Sequence, residues 1–166
     1  RRYLAVALVL ALSIPFLYNP GIVKAEGGTI TWAGTSEGDG LWETDSNWDL
    51  NRVPASGDTV IIPKSTVVEC VYGAAGITLK CAGDLTVSGG TLETTGTSTI
   101  SGSLVNNGNV VINKGELTLS GGGEGSGDFS LKGAAHLKFA GGKRYTVDGK
   151  VDDLGSGSLT VSEAGT

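Results

Sequence analysis

From about residue 58 onward, apolar and polar residues alternate in short runs along the chain. The runs include DTVII, STVVEC, GITLK, DLTVS, STIS, SLVN, NVVIN, ELTLS, DFSLK, HLKFA, RYTVD and SLTVS. Gly, Asn-Gly or Gly-Gly turns separate them, which is typical of short strands. Residues that favour helices are scarce after residue 30, so the pattern predicts an all-β protein.

Two kinds of repeat lie within these runs. A shared phrase occurs three times, as GDLTVSGG at 83–90, GELTLSGG at 115–122 and GSLTVSEAG at 157–165. Apolar residues also recur every 19 to 21 positions, in the series Val60, Leu79, Ile100, Leu119, Phe139, Leu159. This spacing is the length of one solenoid coil, and the shared phrases support the repeat more strongly than the spacing does.

Stacked coils of this length predict a right-handed parallel β-helix, that is, a β-solenoid. One coil cannot bury its own apolar side chains, but coils about 4.8 Å apart pair their backbones and share a core. In ELTLS, alternation directs Leu117 and Leu119 inward and Glu116 outward. The alternative is a β-sandwich of antiparallel hairpins, which the Asn-Gly turn at 106–108 also permits.

The segment 26–57, which precedes the coils, carries all three tryptophans of the chain. An open solenoid exposes the core and strand edges of its first coil, so something must cover them. We expect Trp42 and Trp48 to close this end as a structural cap, with Pro54 and Asp58 leading the chain into the first regular strand. The alternative is that Trp32, together with these two, forms a carbohydrate-binding platform of exposed rings.

Composition and charge narrow the function classes. The chain has 28 glycines in 166 residues and a formal net charge of −5. The charge is spread thinly, without a run of Lys or Arg that could follow a phosphate backbone, so nucleic acid is not an expected partner.

The first 25 residues form a distinct segment. Two arginines precede the apolar run YLAVALVLALSIPFLY, and VKA places small residues before a cleavage site between Ala25 and Glu26. This pattern predicts a secretory signal peptide of the Sec type, which contacts the membrane only during export. Pro15 and Pro20 argue against a retained membrane helix.

Export favours a disulfide between Cys70 and Cys81, since paired cysteines in an oxidising compartment are usually bonded. The alternative is two buried free thiols. Zinc is not expected, because the single histidine, His136, lies far along the chain.

Catalytic chemistry is not predicted. The carboxylates are scattered, and the adjacent pair Asp152 and Asp153 would point to opposite faces of a strand. With one histidine, the sequence suggests no Ser-His-Asp constellation, and it indicates neither a cofactor nor a metal.

The N-terminal segment also carries a family resemblance. The pattern Trp32, Leu41-Trp42, Asn47-Trp48, Val53-Pro54 and GDTVII at 57–62 resembles the start of large bacterial exported β-solenoid proteins, and more loosely the start of the G8 domain. The stretch 103–147 is similar to repeats of adhesin-like and autotransporter-passenger-like surface proteins. Such repeats are scaffolds on which different activities are mounted.

The residue patterns predict three segments, a signal peptide at 1–25, a Trp-rich cap at 26–57 and Gly-rich coils at 58–166 that continue in a longer protein. With the resemblance, they lead us to expect a non-catalytic structural or adhesive stalk, secreted or on the bacterial cell surface, with surface glycans or another surface protein as partner. The alternative is the N-terminal part of a carbohydrate-active β-helix enzyme.

Overall fold

The computed structural model describes residues 27–34 and 38–162, so the predicted signal peptide and its cleavage site lie outside the described residues. A 3-10 turn, Asp45–Asn47, is the only helical element of the described part. The strands are β1 (Thr29–Thr31), β2 (Thr59–Ile62), β3 (Val67–Cys70), β4 (Gly73–Cys81), β5 (Asp84–Val87), β6 (Thr91–Ile100), β7 (Leu104–Asn106), β8 (Asn109–Leu119), β9 (Gly123–Gly125), β10 (Asp128–Leu131), β11 (His136–Phe139), β12 (Tyr145–Val147), β13 (Val151–Asp153) and β14 (Ser158–Val161).

These strands form a parallel β-solenoid of about five turns. The larger sheet follows the order β1-β2-β4-β6-β8-β10-β13, with β11 pairing β8 and β14 pairing β11. The smaller sheet has the order β12-β9-β7-β5-β3. Each coil therefore contributes strands to both sheets, and each strand lies on the strand one coil earlier. All named strand pairs are parallel, so the sandwich alternative is wrong.

Three glycines lie one above another in successive coils of the larger sheet, at the bend in the middle of its long strands. Gly76, Gly96 and Gly115 all have positive φ, between 66° and 86°. Gly96 pairs with Gly115, and a Cβ on Gly115 would lie 2.2 Å from the Gly96 carbonyl oxygen. Because the positive φ favours glycine at all three positions and the close approach requires it at Gly115, this line fixes a corner of three successive coils.

The inward side chains stack in columns, and the predicted apolar series joins two of them. One column comprises Val60, Leu79, Ser98, Leu117, Leu137 and Leu159. Its neighbour comprises Ile62, Cys81, Ile100, Leu119, Phe139 and Val161. The predicted series moves from the first column to the second after Leu79 and returns to the first at Leu159. Both columns point inward and lie two residues apart, so alternation alone cannot separate them.

The three copies of the shared phrase do not occupy equivalent positions in their coils, contrary to the prediction from the sequence. DLTVS forms β5 in the smaller sheet, whereas ELTLS and SLTVS lie in β8 and β14 of the larger sheet. The phrase therefore describes the chemistry of a half-buried strand at any position. The spacing of about twenty residues is the better guide to the coils.

Two strands differ from the predicted pattern. β9 is formed by Gly-Glu-Gly within a stretch that looks like a turn, and β13 contains the two adjacent aspartates. Because both sequences have low β-propensity, their pairing with neighbouring coils accounts for their extended conformation.

The Asn-Gly stretch at 106–108 is a corner between β7 and β8, and Asn107 N donates to Val87 O at 2.8 Å.

Candidate functional site

Backbone of the N-terminal segment pairs with the first coil at both sheets and at the corner near Gly76. β1 pairs with β2 at the edge of the larger sheet. At the smaller sheet, Trp42 N donates to Glu69 O at 2.8 Å, and Glu69 N donates to Gly40 O at 2.9 Å. On the remaining side Gly57 N donates to Gly76 O at 2.9 Å. The segment before the coils thus satisfies strand edges that would otherwise be open to other chains.

The three tryptophans pack together beneath this covering. The ring centroids of Trp32 and Trp48 are 5.1 Å apart, and those of Trp42 and Trp48 are 4.8 Å apart, both in edge-to-face arrangements. Trp48 Nε1 donates to Trp42 O at 2.8 Å. The exposed fractions are 5% for Trp32, 0% for Trp42 and 1% for Trp48. A sugar-stacking platform needs an exposed ring face, so this arrangement does not support the carbohydrate-binding alternative.

Asp58 holds the N-terminal segment to the first coil. Its carboxylate accepts from Arg52 Nη1 at 2.6 Å and Nη2 at 3.0 Å, from Ala55 N at 2.8 Å and from Gly28 N at 3.0 Å. The Arg52 hydrogen bonds, aided by the two backbone donors, lower the pKa of Asp58 to about 2 against the opposing effect of burial. The buried Pro54 directly precedes Ala55 and fixes the backbone there.

We expect Asp58 to make the fold sensitive to strong acid. Its folded pKa lies below the unfolded value of about 3.9, so the stabilisation is complete above that value and is lost as the pH falls through about 2. Chemical denaturation at pH 7, 4 and 2 measures this. Asp58→Asn should be less stable than the wild type at pH 7, and the difference should narrow at pH 2. A constant difference across these pH values would contradict the role of the charge.

The predicted disulfide is wrong in this structure, because Cys70 and Cys81 are both free. Cys70 ends β3 in the smaller sheet and pairs with Val87, whereas Cys81 ends β4 in the larger sheet and pairs with Ile62. The two residues therefore lie in different sheets and coils. Burial raises the pKa of each thiol to about 12, so both are unreactive, small apolar side chains of the core.

The stacking brings together one group that the sequence does not suggest. Glu116, His136 and Ser158 occupy adjacent paired positions on the outward face of three coils. His136 Nδ1 and Ser158 Oγ are 2.5 Å apart. The spacing of 19 to 21 residues applied to His136 would have found Glu116 but not Ser158, which lies 22 residues along the chain.

This group lacks other parts of a hydrolytic site. It lies on an open sheet face, and Ser158 N is committed to Ala135 O rather than free for an oxyanion. Glu116 Oε1 accepts from the Thr118 hydroxyl at 2.8 Å, and no bond to His136 is seen among the described residues. Stabilising a transition state requires hydrogen-bond donors arranged around a bound substrate, and this group offers none. We therefore interpret it as a contact between coils.

A cavity of about 300 Å³ lies beside the N-terminal segment, against Trp32, Asp39 and Val67. The carboxylate that lines this cavity, Asp39, already accepts hydrogen bonds from within the N-terminal segment. Asp39 accepts from the Thr44 hydroxyl, Leu41 N and Asn47 Nδ2, and these bonds lower its pKa. Asp39 therefore shapes a turn of the cap.

The C-terminal end of the described coils contrasts with the capped end. Four of the seven large apolar side chains exposed in the described part belong to the last coil, namely Val151, Leu154, Leu159 and Val161. Leu159 and Val161 continue the two inward columns of the larger sheet in β14, the last strand of the described part. The described part of the solenoid is therefore capped at its N-terminal end and reaches residue 162 with β14 as its last strand.

No family model, curated protein or solved structure matches this chain. Among the described residues, no group of three or more His, Cys, Asp or Glu side chains could hold a metal ion. Within the same part of the chain, no helix has the length and apolar character to cross a membrane.

Proposed function

We propose that this chain is a stalk section of an exported bacterial surface protein, with a structural or adhesive role. The observation that supports the proposal best is the stack itself. Parallel coils share unbroken inward columns, and a cap closes the N-terminal end. Such a stack is a spacer whose length is set by the number of coils.

The internal packing suits a rigid spacer. The buried residues form one continuous apolar cluster that runs from Ile30 and the tryptophans to Leu137. Each coil contacts its neighbours through backbone ladders on both sheets, so there is no thin linker at which the described part could bend. Each added coil lengthens the rod by about 4.8 Å.

The outward faces suit an adhesive role toward surface glycans or another surface protein. Hydroxyl and charged side chains dominate them, as in the outward column Lys80, Thr99, Thr118, Lys138 and Thr160. Hydrogen-bonding side chains at a fixed spacing along a rigid face can bind polar polymers through many weak contacts.

Export is part of the proposal and rests on the N-terminal sequence pattern together with the resemblance to adhesin-like repeats. We expect the exported chain to begin at Glu26. N-terminal sequencing of material recovered outside the cytoplasm measures this directly. Retention of the apolar run at residues 4–18 in that material would contradict cleavage.

Adding coils tests the stalk proposal. Residues 91–108 form one complete coil, since Thr91 pairs with Asn109. Four tandem copies inserted after Gly108 should lengthen the particle by about 19 Å without changing its cross-section. Small-angle scattering measures both quantities.

Two outcomes would argue against a stalk. A larger cross-section without added length would show that the copies do not stack. Glycan hydrolysis by the unmodified chain would instead favour an enzyme. As a length- and composition-matched control, four tandem copies of a scrambled version of the same coil should not extend the rod in regular steps.

A further inference from the structure

Two outward columns of side chains, on different faces of the solenoid, carry matching patterns of charged and apolar residues. We infer that these columns bind each other in neighbouring copies of this chain, so that copies associate side by side and point in the same direction. The inference goes beyond the stalk proposal and does not depend on it. It concerns the sides of the stack, which further coils at either end would leave in place.

The first column lies on the outward face of the larger sheet, on strands β2, β4, β6, β8 and β11. From the N-terminal side it comprises Ile61, Lys80, Thr99, Thr118 and Lys138. Lys80 is exposed and Lys138 is half-buried. Three coil steps separate the two lysines, so their Cα atoms are about 14 Å apart. We call this set the lysine column.

The second column lies on the outward face of the smaller sheet and continues onto the segment that covers its edge. From the N-terminal side it comprises Leu41, Glu69, Thr86, Val105 and Glu124. Glu69 and Glu124 are both exposed, and three coil steps again separate them. We call this set the glutamate column. Its two charged residues have the same spacing as those of the lysine column.

The equal spacing allows both pairs of opposite charges to form at once between two copies. Glu69 lies on β3, directly before the strand that carries Lys80, so the two residues differ in height by less than one coil. Sliding one copy along the axis by this distance sets Lys80 beside Glu69 of its neighbour. Lys138 then lies beside Glu124, because both columns rise by the same number of coils.

The apolar ends of the two columns favour the parallel arrangement. Ile61 and Leu41 each lie one coil before the first charged residue of their column, and both are half-buried. Parallel copies bring these two side chains together and remove apolar surface from water. Reversing one copy would keep the charge pairs, but it would place Ile61 against Thr146, which lies one coil beyond the glutamate column.

The charged residues of both columns are free to bind a partner. Within the described part of the chain, the one ion pair joins Arg52 and Asp58, so it involves neither column. Glu116 is the acidic residue beside the lysine column, and its Oε1 accepts from the Thr118 hydroxyl at 2.8 Å. The chain as a whole is acidic, with a net charge of −5, so the lysine column is a basic stripe on an acidic molecule. Complementary charge of matched spacing selects a second copy of the same chain.

The contact joins two different faces, so each copy keeps one unused column of each kind. Such a heterologous contact continues laterally and gives a row of parallel copies rather than a closed dimer. The columns cover on the order of 300 Å² per copy, less than the roughly 800 Å² of a stable interface, so free chains associate weakly. Longer stacks and attachment to a common surface strengthen the association through many contacts.

Charge reversal in the full chain tests the inference. Lys80→Glu with Lys138→Glu makes both columns acidic, and Glu69→Lys with Glu124→Lys makes both basic. Each double variant alone should associate at least about tenfold more weakly than the wild type. An equimolar mixture of the two should associate as the wild type does, because each acidic column then meets a basic one. Light scattering at low salt and high chain concentration measures the average mass, and circular dichroism reports folding.

The matched control is Lys114→Glu with Lys132→Glu. Both lysines are exposed and neither belongs to either column, yet the net charge changes as much as in the Lys80 and Lys138 variant. This control should associate like the wild type. Equal weakening in the control would show that total charge, rather than the columns, governs association.

Cross-linking tests the orientation independently and keeps all four charges. In parallel copies Thr99 lies beside Thr86 of the neighbour, whereas in antiparallel copies Thr118 does. A mixture of Thr86→Cys and Thr99→Cys chains should therefore form the mixed disulfide faster than a mixture of Thr86→Cys and Thr118→Cys chains. Equal rates, or the reverse order, would refute the parallel arrangement.

Three results would overturn the inference. These are a wild type that stays monomeric under the same conditions, a mixture of the charge-reversed variants that does not recover association, and growth that stops at a dimer. If a monomeric wild type bound polygalacturonate and Lys80→Glu with Lys138→Glu abolished that binding, the partner of the lysine column would be an acidic glycan instead. Each of these results would leave the stalk proposal standing, because the coil-insertion measurement does not require association.

Discussion

Replacing Trp42 with alanine should lower the free energy of unfolding by about 4 kcal/mol, because truncating a fully buried tryptophan removes its packing and leaves a cavity. Trp42 is 0% exposed and contacts Trp48 edge-to-face. Its own backbone N–H also pairs with the edge of β3. The substitution therefore loosens the cap where it covers the smaller sheet. Denaturant unfolding followed by circular dichroism measures the loss, which is a large share of the stability of a domain of this size.

Two further variants separate burial from aromatic character. Tyr72→Ala removes an aromatic ring that is 81% exposed, and it should change the free energy of unfolding by less than about 0.5 kcal/mol. Trp42→Phe should cost less than Trp42→Ala, because Trp42 Nε1 is a buried donor without a partner among the described residues. An unchanged unfolding midpoint for Trp42→Ala would refute the structural role of the ring.

Replacing Gly102 with alanine should cost about 3 kcal/mol, since it forces a methyl group between two coils. A Cβ at this position would lie 1.9 Å from the Gly83 carbonyl oxygen, far inside van der Waals contact. Gly121, one coil later, is packed equally closely against the Gly102 carbonyl oxygen. Relief requires the backbone to move, and each coil is held by ladders on both sides. Thermal unfolding should show a clearly lower midpoint.

The matched control is Gly28→Ala. No heavy atom lies within 4 Å of a Cβ at Gly28, and the substitution keeps the N–H that donates to Asp58. This variant should unfold like the wild type. Equal effects at Gly28 and Gly102 would mean that backbone entropy, not the distance between coils, accounts for the loss.

Some features of the site could be predicted from the sequence because they depend on local chemistry. Leu117 and Leu119 point inward as alternation requires. The three tryptophans are buried at the start of the coils, as expected because the core and edges of the first coil must be covered. The pairing of Cys70 with Cys81 could not be judged in this way, since it depends on which sheet each strand joins.

The sequence by itself determined the class of fold. Alternating apolar positions, turns rich in glycine and a repeat near twenty residues specify stacked parallel coils, since no single coil could bury its own apolar side chains. The tertiary structure alone decided the register. Because alternation has a period of two, shifting one strand by two residues against its neighbour keeps the same side chains pointing inward. The sequence pattern therefore allows Leu79 to lie on Ser98 or on Ile100, and only the stacking of the coils selects Ser98. Stacking also brought His136 to Ser158, because this contact depends on which coils lie next to each other.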